Sequence, residues 1–424
     1  MEKTARKNHL SGAMLAGILF LGLSRDLPRA VAQQKPAESR GAHRTLYLVS
    51  AHQFVKVDLP TNTAKSQDLI TLAGMEFPDD CNSHHPPQSC NWYASEARLD
   101  LKNGRLYFVT PGATPGDVPE AGEDETDSSE FAVWGIRLPE MALAKKIEIP
   151  ASRQMPTILL TPDGKRLFAS YEGGDAKHWT VETIDATTLT KINAVKDTGG
   201  NILDDDFPTS ASFVPSGKFI VNGNMKIRME GGQFRVEDFD PRTKLSAADL
   251  KKLSGFEKTD TNGRKFLPAM AVAPVKNKML EWVINDAETE TGFWTVDLET
   301  GETSSAVVIK SFARARLIGD GKEFAVFEGR MKPATPEEGP KFLSTGRISI
   351  YRVDSGTLAR EFNIAELKGD GEMLCTSGDG TLAAYRYEKE LMILNLQTGR
   401  VARVAGTVAD FPSPGYQGAC AFGE

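Results

Sequence analysis

One short pattern recurs along the chain, and its last copy is left half finished. An apolar strand, a tight Gly-containing turn and a second apolar strand follow one another at Arg98–Phe108, Ile158–Phe168, Ala211–Val221, Met270–Val283, Ala315–Phe327 and Met373–Tyr385. A seventh first half, Tyr416–Phe422, ends with the chain. The second half it lacks stands at the other end, as Arg44–Ala51. Repeats that can bury their apolar faces only against one another stack in series. A series whose first and last members are complementary halves predicts a closed ring with one sheet built from both ends of the chain.

The turns support a four-stranded repeat, with strands a to d. Strands a and b are joined by Lys102-Asn103-Gly104, Pro162-Asp163-Gly164, Pro215-Ser216-Gly217, Gly319-Asp320-Gly321 and Ser377-Gly378-Asp379-Gly380. Asp, Asn and Gly suit such turns because they tolerate positive φ or cap their own backbone. Strands c and d are joined at Val57–Thr63, Ile184–Thr188, Asp238–Thr243, Val296–Gly301, Val353–Gly356 and Asn395–Gly399, and without the Asp at Ile136–Met141. This reading gives an all-β fold: a seven-bladed β-propeller of four-stranded blades, the first closed by both termini, over residues 44–424. One helix is expected, with Ser246 capping Ala247–Leu253 and Gly255 stopping it.

The length variation has a direction. The a–b and c–d turns stay short, and the b–c and d–a connections absorb the rest. Strand direction alternates, so both long classes emerge on one face. That face carries Leu72–Asn91, Pro111–Glu130, Tyr171–Trp179, Gly199–Phe207, Asn285–Gly292 and Glu328–Thr345. Variable loops on a rigid scaffold are where binding sites sit. A protein or small-molecule partner is therefore expected there.

The N-terminus reads as a secretory signal over residues 1–32, followed by a polar linker, 33–43. Lys3, Arg6 and Lys7 precede the apolar run Leu10–Leu23, and Ala30-Val31-Ala32 offers small residues for cleavage. The run falls short of the roughly 20 residues a spanning helix needs, and no later segment could span a membrane. Removing residues 1–32 takes five basic and two acidic residues from a total of 50 and 57, leaving a net charge of −10. Acidic balance without a basic face excludes nucleic acid as a partner. A secreted or periplasmic location follows, and the four cysteines suit it. Cys81 and Cys90 bracket a short Pro-Pro loop and are expected to pair. Cys375 and Cys420 fall on strands that closure makes neighbours, and a bridge between them would lock the ring.

Several strands are similar to the repeats of a known group. Leu46-Tyr47-Leu48-Val49 followed by Phe54-Val55-Lys56-Val57-Asp58 resembles the Tyr-Val-Thr-Asn and Val-Ile-Asp strands of the YVTN and quinoprotein-amine-dehydrogenase-like seven-bladed propellers. Leu167-Phe168-Ala169-Ser170 with Val181–Thr188, and the turn Thr161-Pro162-Asp163-Gly164, do the same. These motifs specify blades and not chemistry. The resemblance implies that strand a lines a central channel and strand d faces out.

Candidate site residues are scattered. His84 and His85 in the Cys81–Cys90 loop offer imidazoles for a metal or for proton transfer, or simply form a polar loop. Asp204 and Asp206 in Asp204-Asp205-Asp206 could hold calcium or another divalent metal, which prefers oxygen ligands. Strand a carries Glu96, Arg98, Arg153, Arg314, Arg316 and Glu372, which either bind a polar or anionic ligand or pair across blades. Trp179 and Trp92 flank variable loops and could stack on a ligand. No Gly-x-Ser-x-Gly elbow, P-loop or dinucleotide fingerprint is present. The leading expectation is a non-enzymatic binding propeller without a resident cofactor. The alternative is an enzyme: a metal-dependent lactone or ester hydrolase, or a subunit related to amine dehydrogenase heavy chains.

Overall fold

A computed structural model gives the fold of the unit His43–Glu424. It describes residues 43–75, 94–111, 130–150, 156–172, 179–196, 212–213, 217–222, 225–230, 233–238, 241–259, 263, 265–333, 341–388, 390–406 and 420–423. The signal segment 1–32, most of the linker, and the Cys81–Cys90 loop with His84 and His85 lie outside these residues. So do Asp204 and Asp206.

The architecture is an all-β propeller. Its sheets are antiparallel and the strands follow sequence order. In one sheet Glu96–Asp100, Arg105–Pro111, Glu130–Arg137 and Ala142–Pro150 pair in turn, and in the next Thr157–Leu160, Arg166–Glu172, Trp179–Asp185 and Thr190–Lys196 do so. The middle strands are buried on both faces because neighbouring sheets cover each side. Arg105–Pro111 is thus enclosed over all but its first residue. The fourth strand faces solvent, and Thr190–Lys196 carries Lys, Asn and Thr with only Val195 buried. First strands of successive sheets adjoin: Glu96–Asp100 meets Thr157–Leu160, which meets Ser212–Phe213, then Met270–Val275, then Phe312–Ile318. The innermost position is therefore held by strand a.

Closure uses both ends of this unit. Cys420–Gly423 pairs with Thr45–Val49, whose other partner is Gln53–Asp58 and then Thr63–Asp68. Leu46, Leu48, Val55 and Val57 pack on Ala384, Leu391 and Ile393 of the neighbouring sheet. The Cys375–Cys420 disulfide is formed, with 5.8 Å between the Cα atoms.

At two of the expected c–d turns the Asp acts as its chemistry predicts, whereas Asp238–Thr243 follows the fourth strand of its sheet, Gln233–Asp238, and does not join the third to it. Asp185 Oδ1 accepts from the backbone N–H of Thr187 and Thr188 at 2.9 and 2.8 Å, and Asp297 Oδ1 does the same for Glu299 and Thr300. Gly164 sits at φ 69°, and a Cβ there would collide with the Asp100 carboxylate of the adjacent sheet. The expected helix runs Ala247–Lys252, capped by Ser246 Oγ accepting from Asp249 N at 3.1 Å. Leu253 and Phe256, which follow it, are buried with Trp294 and Val283.

The expected count of seven separate four-stranded blades needs correction. The described residues form five four-stranded sheets, one seven-stranded sheet and a small two-stranded ribbon, Lys258–Thr259 with Lys265–Phe266. The seven-stranded sheet joins the last two sequence repeats through one strand, Leu358–Thr376. Its earlier part pairs with Lys341–Arg352 and its last residues pair with Leu382–Tyr387. The cause is local. The pairing skips Ile364–Leu367 and resumes at Lys368–Asp370, and Gly369, at φ 126°, passes the strand directly to its next partner at Gly371.

Candidate functional site

The tight turns at 101–104, 161–165, 319–322 and 377–381 share one end of the sheets. The strand ends that flank residues 112–129, 173–178 and 334–340 stand at the opposite end, and those residues lie outside the described ones. The first strands run from that opposite end to the tight turns, with Glu96 at the start of its strand, Arg314 and Arg316 within theirs, and Asp100 at a tight-turn end.

In Phe312–Ile318, Arg314 and Arg316 are half-buried among buried Phe312, Ala313, Ala315, Leu317 and Ile318. Arg314 Nη1 donates to Glu372 Oε1 at 2.9 Å, and its guanidinium lies 5.0 Å from the centre of the Phe342 ring. The other Glu372 oxygen is 3.9 Å from Arg386 Nη2, which is 3.8 Å from Asp370 Oδ1. Asp370 Oδ2 lies 3.6 Å from Lys341 Nζ. Arg386 Nε is buried without a hydrogen-bond partner. Burial pushes the Tyr385 hydroxyl beside this chain up to about 12, with Glu372 and Asp370 adding to the rise.

Arg316 stands apart. Among the described residues no carboxylate comes within ion-pair distance of it. Burial lowers its pKa, Arg314 lowers it further, and Glu372 opposes both. Lys341, Arg314 and Arg386 are paired with Asp370 and Glu372, and Arg316 adds a further cation beside Arg314. An anion placed beside Arg316 would relieve the mutual repulsion of the guanidinium groups.

Glu96 does a different job. It is 8% exposed, and its Oε2 accepts from the Ile158 backbone N–H of the next sheet at 2.6 Å while lying 3.5 Å from Arg98 Nη2. This ties one inner strand to its neighbour. Trp179 opens its strand, half-buried and opposite Glu172.

The structure thus brings Arg314, Arg316 and Glu372 together and leaves Glu96 and Trp179 as separate features on other sheets. Arg314 pairs across the join between repeats, one of the two expectations for it. Among the described residues no group of three or more His, Cys, Asp or Glu is placed to hold a metal ion. Sequence reading passed over Lys341, Asp370 and Arg386. Asp370 is flanked by Gly369 and Gly371 and reads as a loop. Arg386 sits on a second strand, directly opposite Glu372. An Arg one residue before the end of that strand, facing a Glu near the start of the first, is the signal that register would have supplied.

The fold and this cluster define the protein as a β-propeller with a charged inner rim. No protein-family model matches the chain, and no curated protein matches it. Solved structures resemble the chain at low identity. A functionally unknown protein from Desulfotomaculum acetoxidans is 12% identical with a TM-score of 0.47, covering 90% of this chain and 100% of that one. A putative 6-phosphogluconolactonase from Bacteroides fragilis is 13% identical with a TM-score of 0.41, covering 89% and 98%. Hydrazine synthase from Kuenenia stuttgartiensis is 16% identical with a TM-score of 0.41, covering 72% and 77%.

Proposed function

We propose that this propeller is a binding scaffold that takes a small anionic ligand on its innermost strands, beside Arg314 and Arg316. The observation that carries the reading is Arg316: a guanidinium on an innermost strand, beside Arg314, with no carboxylate at ion-pair distance among the described residues. A half-buried cation without a partner is costly, and a bound anion supplies the missing partner. The disulfide supports a location outside a reducing compartment.

Thermal unfolding of the full chain with citrate, with inorganic phosphate and with a neutral polyol tests this. A ligand at a hundred times its dissociation constant adds about 2.7 kcal/mol. Stabilisation by an anion that is absent in Arg316→Gln and partly restored in Arg316→Lys supports the reading. Equal responses in all three proteins, or none with either anion, would reject it.

A further inference from the structure

At the tight-turn end, away from the inner rim, turns from three consecutive sheets enclose a cavity of about 630 Å³. Lys102 comes from the first, the Thr161–Arg166 turn from the second, and Gly217–Ile220 with the hairpin after it from the third. The floor is apolar. Phe168 and Phe219 are buried, and Phe234 meets the Phe168 ring edge-on at 6.1 Å. Met229 also lines the cavity and is 41% exposed.

The rim is cationic: Lys102, Lys165, Arg166 and Lys218. Lys218 lies 3.6 Å from Glu299. The other three make no ion pair among the described residues. Asp163 is the one carboxylate in the lining, and its turn already uses it. Its Oδ1 accepts from Thr161 Oγ1 at 2.6 Å and from Lys165 N at 3.0 Å. Four positive charges over aromatic and thioether surface repel a cation. A purely inorganic anion would leave the apolar floor wet, and a neutral apolar molecule would leave the cations unmatched. The volume lies within the roughly 300–1,000 Å³ of small-molecule sites.

We propose that this cavity binds an organic anion with a flat apolar body. The ring lies against Phe168, Phe234 and Met229, and the acidic group meets Lys102, Lys165 and Arg166. This site is independent of the inner rim.

The test is calorimetric titration of the full chain with naphthoate, with its neutral alcohol analogue naphthalene methanol, and with inorganic phosphate. Naphthoate should fill one saturable site, with the alcohol and phosphate each weaker by about tenfold or more. Lys165→Ser with Arg166→Ser, both exposed and therefore tolerated by the fold, should weaken naphthoate by about tenfold. Raised salt should weaken it too, because the charges are solvent-facing. Arg316→Gln should leave it unchanged, which separates this site from the inner rim. No saturable naphthoate binding, equal affinity for the alcohol or for phosphate, or an unaffected double variant would each overturn the proposal.

Discussion

The closing sheet and the seven-stranded sheet solve the same problem in opposite ways. Each must hold neighbouring repeats together. In the seven-stranded sheet the chain does it alone, because Leu358–Thr376 belongs to both repeats and the backbone crosses the join. In the closing sheet no covalent backbone crosses. Cys420–Gly423 reaches Thr45–Val49 only through a ladder four residue pairs long. Additional ties gather at this seam. Cys375–Cys420 bridges to the adjacent inner strand. Ala64 N donates to Ala405 O and Ala405 N donates to Asn62 O, both at 2.7 Å. His43 Nε2 lies 3.3 Å from Asp379 Oδ1, and its ring meets Phe422. Cross-links collect where chain continuity is missing.

The largest expected effect comes from cutting the covalent tie at the closing seam. The bridge spans 45 residues, and the loop-entropy estimate for that length is about 4 kcal/mol. Cys375→Ser with Cys420→Ser should lower the denaturant midpoint accordingly. Reductant should reproduce the loss in the unaltered protein and do nothing to the double variant. The continuous join has no such bond, so its cohesion should rest on packing. Leu367 is fully buried there, in one cluster with Phe312, Phe327 and Tyr385. Leu367→Ala should cost about 3 kcal/mol from lost burial and the cavity left behind. Chemical denaturation of both variants ranks the two joins directly. A bridge worth less than the leucine would mean that strand pairing and apolar contact carry the seam.

A third kind of join is a single side chain. Glu96 accepts the Ile158 N–H across two inner strands at 2.6 Å. Glu96→Ala removes a charged acceptor from a buried donor and should destabilise by about 2 kcal/mol. Glu96→Gln keeps an acceptor and should recover part of that, as read by the same denaturation midpoints. Loss confined to ligand binding, with stability intact, would move Glu96 from the scaffold to the site.

Much of the scaffold is visible in the residues. Asp185, Asp297 and Asn395 mark turns because each caps its own backbone, a local interaction that needs no partner elsewhere. The split repeat and the Cys375–Cys420 bridge follow from closure alone. The continuous sheet is not visible, because Lys368-Gly369-Asp370-Gly371 has the composition of a loop while its residues stay paired in the sheet. Gly369, at φ 126°, passes the strand from one partner to the next. The inner rim is half visible. Arg314, Arg316 and Glu372 belong to first strands, but Arg386 and Lys341 join them only through pairing register. The tight-turn cavity is hidden for the same reason. Its cations come from three turns, and each alone reads as an ordinary solvated turn.

The smallest expected effect sharpens the closing seam further and depends on pH. Burial alone would raise the Asp379 pKa. Hydrogen bonds from Ser377 Oγ at 2.6 Å, from Thr381 N at 3.0 Å and from Thr381 Oγ1 at 2.8 Å outweigh it and hold the pKa at about 2, with His43 acting in the same direction. The folded value lies below the ordinary 3.8. Its contribution is therefore present above about pH 4 and fades as pH falls through about 2. The side chain is 42% exposed, so solvent screens the gain, and less than about 1 kcal/mol is expected. Asp379→Asn should flatten that part of the acid limb when unfolding midpoints are measured from about pH 5 down to about pH 2. If the limb keeps its slope, the acid sensitivity belongs to other carboxylates, and the His43–Asp379 contact adds nothing to the seam beyond the bridge and the strand ladder.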